Sequence, residues 1–203
     1  MIKYIKGQLD GGMFDIHEIN VIKAQRTNQV YEAYETLSDS DNILISLPLY
    51  VDNLPSHLLE FIIEFEKYYN EKLVEAKNTK TRFYAIINNG FIEGTQNINA
   101  INILKNFAEK VSFKWRFAIG IGAGEFMKEP AAKWTSKLKM DVYNRLTQLA
   151  DDIKSNDIHC VHDVYTNPAM PKFLFMLGGT KSWHRLAKKN HLEKKQLYDK
   201  PYK

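Results

Sequence analysis

Residues 43–55 read Ile43-Leu44-Ile45-Ser46-Leu47-Pro48-Leu49-Tyr50-Val51-Asp52-Asn53-Leu54-Pro55, and the reading of this stretch decides the fold. Ile43 to Leu47 is an apolar run of strand character. Pro48 has no N–H to give a sheet ladder, so the strand ends there and the backbone turns out of the sheet. Pro55 closes the exit loop just before an amphipathic helix. The loop therefore leaves the carboxyl end of a buried strand, which is where open α/β sheets bind their ligands. An exposed Leu49-Tyr50 pair on such a loop suits a flat ring. The plainer alternative is a strand end whose tyrosine packs on the following helix.

Working outward, the same unit recurs. Ser56 is placed to cap a helix from His57 to about residue 76, with Leu58, Leu59, Ile62, Ile63 and Phe65 on one side. Phe83 to Ile87 is a second continuous apolar strand, ending in Asn88-Asn89-Gly90-Phe91. A helix follows over Ile98–Val111, then a third strand over Trp115–Ile121 running into Gly122-Ala123-Gly124, then a helix over Leu138–Ile153. Strands apolar throughout and alternating with helices indicate a parallel sheet covered on both faces. The loops after residues 47, 87 and 121 then gather on one edge and can build one pocket. Upstream, Met1–Asp10 reads as a helix stopped by Gly11-Gly12, Phe14–Val21 alternates like a short strand, and Gln29–Leu37 reads as a helix. Beyond Asn167 the chain changes character. Pro168, Pro171, Gly178 and Gly179 interrupt it around the apolar Phe173–Leu177, and a basic helix is expected to begin at Trp183.

The totals bound the function class. The chain has 203 residues, 44% of them hydrophobic, which suits one domain, alone or with an extension. The net charge of +4 is mild, and much of the excess lies in Lys188, Lys189, Lys194, Lys195, Lys200 and Lys203. Such a run reads as a solvated face, so no nucleic-acid partner is expected. The one cysteine, Cys160, permits no internal disulfide, which suits a reducing compartment. No apolar run is long enough to span a bilayer and no signal pattern opens the chain. A soluble cytoplasmic protein with no membrane partner is the expectation.

Few residues carry chemistry of their own. Asn89-Gly90-Phe91 follows a buried strand, where a glycine permits close approach of a ligand or simply makes a turn. Gly120, Gly122 and Gly124 alternate at a strand end but do not form the dinucleotide fingerprint, because Glu125 stands three residues after Gly122. They imply a loop that bends closely against something. His159, Cys160 and His162 are compact, yet no second ligand pair stands at finger-like spacing, so no metal is expected. His57 and His184 read as surface or packing residues. No nucleophile elbow and no paired acids are visible, so no catalytic side chain is assigned. If the chain is an enzyme, its chemistry belongs to a bound cofactor.

Three stretches together resemble the flavodoxin-like NAD(P)H-dependent oxidoreductases of the FMN reductase group. Leu47-Pro48-Leu49-Tyr50-Val51-Asp52-Asn53-Leu54-Pro55 is similar to the loop after that group's third strand, which edges the flavin ring. Ile87-Asn88-Asn89-Gly90-Phe91-Ile92-Glu93 is similar to the loop after its fourth strand, and Trp115–Glu125 to its fifth strand with a glycine-rich end. The tail from Met170-Pro171-Lys172 through Trp183 to Pro201-Tyr202 resembles C-terminal extensions in the group. The resemblance implies a flavodoxin-like α/β fold, an open parallel sheet with helices on both faces, over residues 1–166, and a C-terminal extension over 167–203 packed on the domain or on a partner subunit. It implies FMN held by Pro48, Leu49, Tyr50, Val51, Asp52, Asn89, Gly90, Phe91 and Gly124, with NAD(P)H as electron donor to a small-molecule acceptor. It also implies a homodimer, for which Phe173–Leu177 and Trp183 are the interface candidates.

One departure is large. Members of the group open with an apolar strand and a Gly-Ser loop that holds the FMN phosphate at a helix N-terminus. Here Met1 already sits in a helical pattern, and nothing before Phe14 resembles that strand. In the strand order 2-1-3-4-5 the missing strand is central. The expectation is either that the chain is a truncated product or that its second strand pairs directly with the third. A cofactor-free flavodoxin-like remnant acting as an interaction module is the rival reading.

Overall fold

The computed structural model describes residues 1–72, 80–127, 133, 135–155 and 162–200. The chain divides into two units, Met1–Pro168 and Ala169–Lys203. In the first, helices α1 (Ile2–Leu9), α2 (Val21–Arg26) and α3 (Val30–Asp39) precede strand β1 (Asn42–Pro48). Then come α4 (Ser56–Lys72), β2 (Arg82–Asn88), a 3-10 turn (Gly94–Asn97), α5 (Ile98–Lys110), β3 (Lys114–Ile121), α6 (Gly124–Met127), α7 (Met140–Lys154) and β4 (Val164–Thr166). All four strands are parallel and lie in the order β1-β2-β3-β4. This is the open parallel α/β sheet, covered on both faces, expected from the alternation of apolar strands and helices.

Each face of the sheet has its own core. On one, Ile43 and Leu47 of β1 and Phe83, Ala85 and Ile87 of β2 meet Phe61, Phe65 and Tyr69 of α4 and Ile101, Leu104 and Phe107 of α5. The rings interlock there, with Phe65 stacked on Tyr69 at 5.3 Å and Phe83 on Phe113 at 6.2 Å between centroids. On the other face, Tyr84, Ile86, Phe117, Ile119 and Ile121 meet Val142, Leu146 and Leu149 of α7 and Ile5 of α1. Each such side chain contributes roughly 1.5–3 kcal/mol by leaving water. The coverage of both faces is why β2 and β3 are apolar at consecutive rather than alternate positions.

A bulge sets one polar feature inside the second core. The β2–β3 register passes from Phe83↔Trp115 to Tyr84↔Phe117, so Arg116 is the extra residue. Bulges re-aim a side chain, and Arg116 is aimed at α7. Its Nε and Nη2 donate to the Asp152 carboxylate at 3.0 and 2.6 Å, and Tyr84 Oη donates to the same carboxylate at 2.8 Å. Arg82 donates to the carbonyls of Asp152, Ile153 and Ser155 at 2.8–2.9 Å, closing the orphan groups at the end of α7. Burial pushes the Asp152 carboxyl up, but the hydrogen bonds from Arg116 and Tyr84 and the arginine charge outweigh it and hold the group below the ordinary carboxylate range. Burial, then the bond to Asp152, raises the Tyr84 phenol well above its usual value. These groups sit at the amino ends of β2 and β3, at the opposite edge of the sheet from the exit loops.

Several elements differ from the sequence reading. Residues 14–20 form no strand. Phe14 packs on one core and Ile19 and Val21 on the other, so this stretch crosses from one face to the other and finds no ladder partner. The short α2 and β4 had no clear periodic signal. In the second unit, α8 (Lys172–Lys189) begins directly after Pro171 and includes both Phe173–Leu177 and Trp183. Gly178 and Gly179 do not end it. Each costs about 1 kcal/mol against alanine, which the rest of an 18-residue helix tolerates. A 3-10 turn, Lys194–Tyr198, follows. No described helix is long and apolar enough to cross a membrane.

Candidate functional site

The carboxyl ends of β1, β2 and β3 lie side by side, so their exit loops share one edge. After Pro48, Leu49 N–H donates to Asn88 O at 2.8 Å and the chain folds into a tight turn. Tyr50 and Asn53 exchange both backbone bonds, at 3.0 and 2.9 Å. The two residues between them are left-handed, Val51 at φ 46° and Asp52 at φ 57°. That is the conformation of a type I′ turn, normally supplied by Asn and Gly. A β-branched residue there is strained. Val51 is 97% exposed and Tyr50 58%, so no burial of the side chain explains the strain.

The second loop lies between the other two. Asn89 is buried and bonds both ways: its N–H donates to Ile121 O at 3.0 Å, its Nδ2 to Glu93 O at 3.0 Å, and its carbonyl accepts from Gly124 N–H at 2.7 Å. Ala123 N–H donates to Phe91 O. Gly90 and Phe91 then project outward, Phe91 56% exposed, and a Cβ on Gly90 would meet nothing within 4 Å. The N–H groups of Gly90, Phe91 and Ile92 have no hydrogen-bond partner among the described residues. Asn89 Oδ1 is likewise buried without one.

The third loop explains the alternating glycines. A Cβ on Gly122 would lie 2.0 Å from Ile92 O, and one on Gly124 would lie 2.5 Å from Asn88 Nδ2. The close approach is thus made by the chain's own second loop. Gly122 N–H also donates to Thr166 O at 2.9 Å, and Gly94 N–H to Asn167 Oδ1 at 2.6 Å, which ties β4 to the same edge.

The edge therefore combines an exposed aromatic and aliphatic rim (Tyr50, Val51, Phe91) with a short run of free backbone donors. Pro48, Leu49, Asp52, Asn89 and Gly90 stand on the same edge, while Gly124 is enclosed behind it. Residues 48–54, 88–93 and 122–125 contain no lysine or arginine, but do contain Asp52, Glu93 and Glu125. The arrangement fits a flat, uncharged ring system better than a phosphate. Ile92, whose N–H completes the donor run, was not singled out from sequence, because a backbone donor leaves no mark on residue type.

His159 and Cys160 lie outside the described residues. Among the described residues no group of three metal-ligating side chains occurs. His57 and His184 are half-buried on α4 and α8.

No family model matches the chain, and no curated protein sequence does. Among solved structures, an NADPH-quinone reductase from P. pentosaceus is similar at 13% identity over 76% of this chain and 89% of that one, with a TM-score of 0.49. An FMN-dependent NADH-azoreductase from Bacillus anthracis, in complex with FMN, is similar at 15% identity over 76% and 73%, with a TM-score of 0.41. Azoreductase AzrA follows at 13% over 77% and 75%, with a TM-score of 0.38. Likenesses this distant establish neither activity nor ligand.

Proposed function

We propose that the chain is a flavin-dependent NAD(P)H oxidoreductase that holds the isoalloxazine ring of FMN at the carboxyl edge of β1 and β2. The observation that carries this reading is the pairing of an exposed Tyr50-Val51 turn with the unpartnered N–H groups of Gly90, Phe91 and Ile92 on the adjacent loop. When bound, the flavin supplies hydride transfer from a nicotinamide cofactor to a small-molecule acceptor. The chain's own part is to bind and orient. Tyr50 and Phe91 cover apolar ring surface, and the three backbone donors meet ring acceptors. Asn89 fixes the second loop against β3, and the strained turn keeps Tyr50 in place. No side chain need act as acid or base. The reading includes a cytoplasmic setting and a second copy of the chain as partner.

The absence of lysine and arginine from residues 48–54, 88–93 and 122–125 makes a specific demand on this reading. If the ring alone is recognised, riboflavin binds within about tenfold of FMN, a difference of no more than ~1.4 kcal/mol. The first test is a visible absorption spectrum of the purified chain before and after loading with each flavin, followed by a thermal melt, since ligand bound to the native state raises stability. A retained flavin band and a raised melting temperature support the reading. A colourless protein whose melt ignores both flavins overturns it. That outcome favours the second reading, a cofactor-free interaction module, which the acidic loops and the self-filled space around Gly122 and Gly124 support.

A further inference from the structure

We propose that β1 is a self-pairing edge, through which two copies of this chain join antiparallel across a two-fold axis at Leu44 into one continuous sheet. The inference stands apart from the flavin reading and rests on the backbone of one strand. β1 is the end of the sheet, with β2 on one side only. Arg82 N–H donates to Asp41 O and Leu49 N–H to Asn88 O, both at 2.8 Å. These bonds bracket the strand and fix its phase. In a parallel ladder the bonding residues alternate, so residues 41, 43, 45, 47 and 49 turn their backbone groups to β2. Asn42, Leu44, Ser46 and the carbonyl of Pro48 turn theirs outward. Among the described residues, Leu44 and Ser46 have no backbone partner on that side. Ser46 is exposed and Leu44 and Ile45 are half-buried, so the edge is open.

Natural edges are guarded by charges, bulges or prolines within the strand. β1 has none of these guards along its length. It carries no charged residue from Asn42 to Pro48, its register with β2 is unbroken over all seven residues, and its only proline is the last. The strand is also complementary to its own reverse. With the axis at Leu44, the outward residues fall opposite one another, Leu44 facing Leu44 and Asn42 facing Ser46 of the partner copy. Each such pair exchanges both backbone bonds. Between them Ile43 lies opposite Ile45 of the partner copy. Over residues 42–46 apolar meets apolar and polar meets polar; beyond them Leu47 falls opposite Asp41 of the partner copy, and Pro48, which lacks a donor, falls outside the pairing. That match in both backbone and side chains commits the edge to a second copy rather than to an unrelated strand.

The test is the oligomeric state of the full chain by sedimentation velocity and light scattering from about 1 to 200 μM. The expected result is a dimer. Ser46→Pro removes an outward N–H and sets a ring on the edge, while the bonds to β2 stay intact because Ser46 does not contribute to them. It should weaken the dimer at least tenfold and leave the far-ultraviolet circular dichroism unchanged. If Ser46→Pro does not fold, Leu44→Lys decides, because it sets like charges directly opposite at the axis; its dimer should also weaken at least tenfold. The exposed apolar side chains of α8 are the competing surface, tested by Phe173→Ser with Trp183→Ser. Loss of the dimer in that double variant with retention in the β1 variants overturns the proposal. So does a wild-type chain that stays monomeric throughout the range.

Discussion

Val51 occupies a conformation that its branched side chain resists, at φ 46° and almost fully exposed. Residues held in such regions cost of order 1–3 kcal/mol and persist where the surroundings over-determine them. Here the Tyr50–Asn53 bond pair and the buried Leu54 and Pro55 set the turn. Val51→Asn, which tolerates the left-handed region, is expected to raise stability by about 1 kcal/mol, or roughly 2–4 °C in melting temperature. A melt that falls instead means the valine makes a contact that outweighs the strain. Tyr50 belongs to the same turn but is exposed, so Tyr50→Ala should shift stability by no more than about 0.5 kcal/mol. On the flavin reading it should weaken flavin binding by about tenfold or more in a fluorescence titration. Unchanged affinity would move the ring elsewhere.

The loops around the site behave as packed elements rather than free connections. Gly122→Ala would drive a methyl group into the Ile92 carbonyl, 2.0 Å away, and the second and third loops must then separate. A loss of at least about 3 kcal/mol is expected in urea denaturation, at the upper end for overpacking. Gly90→Ala meets open space and should be near neutral for stability, which makes the two glycines a matched pair of controls. Much of this level was legible beforehand. The apolar runs at 43–47, 83–87 and 115–121 had to be buried strands, and the Pro, Asn-Gly and Gly residues after them had to be exit loops. Other parts were not legible. Residues 14–20 alternate like a strand, but alternation marks an extended chain, not a partner. Three-residue β4 is too short to show a period. Pro171 and the glycine pair suggested breaks in α8, and local propensity is only a weak guide where a long helix can absorb two poor residues.

Across the whole first unit, the Arg116–Asp152–Tyr84 cluster joins β2, β3 and α7. Removing one member of a buried pair leaves a charge without compensation, so Asp152→Ala should cost about 3–5 kcal/mol. Asp152 also sets an acid limit. Its folded value is depressed, so its stabilising contribution is present above the unfolded carboxylate value near 3.9 and is lost as pH falls through the folded value. Tyr84 sets an alkaline one. Its folded value is raised, so its contribution is intact below the unfolded phenol value near 10 and declines as pH rises beyond that. Tyr84→Phe should flatten the decline above pH 10, read as the urea midpoint against pH. A decline as steep as in the wild type would assign the alkaline limit to other groups.

By itself the sequence determined the α/β class, the strands whose faces are both covered, and the edge on which the three exit loops gather, because these follow from hydrophobic period and from the backbone limits of proline and glycine. Only the tertiary structure decided which glycines face open space and which are filled by a neighbouring loop. It alone showed that a bulge turns Arg116 toward Asp152, and that among the described residues β1 ends the sheet with the outward backbone groups of Leu44 and Ser46 unpaired. Those outcomes depend on contacts between residues far apart in the chain, and no local pattern of residue types records them.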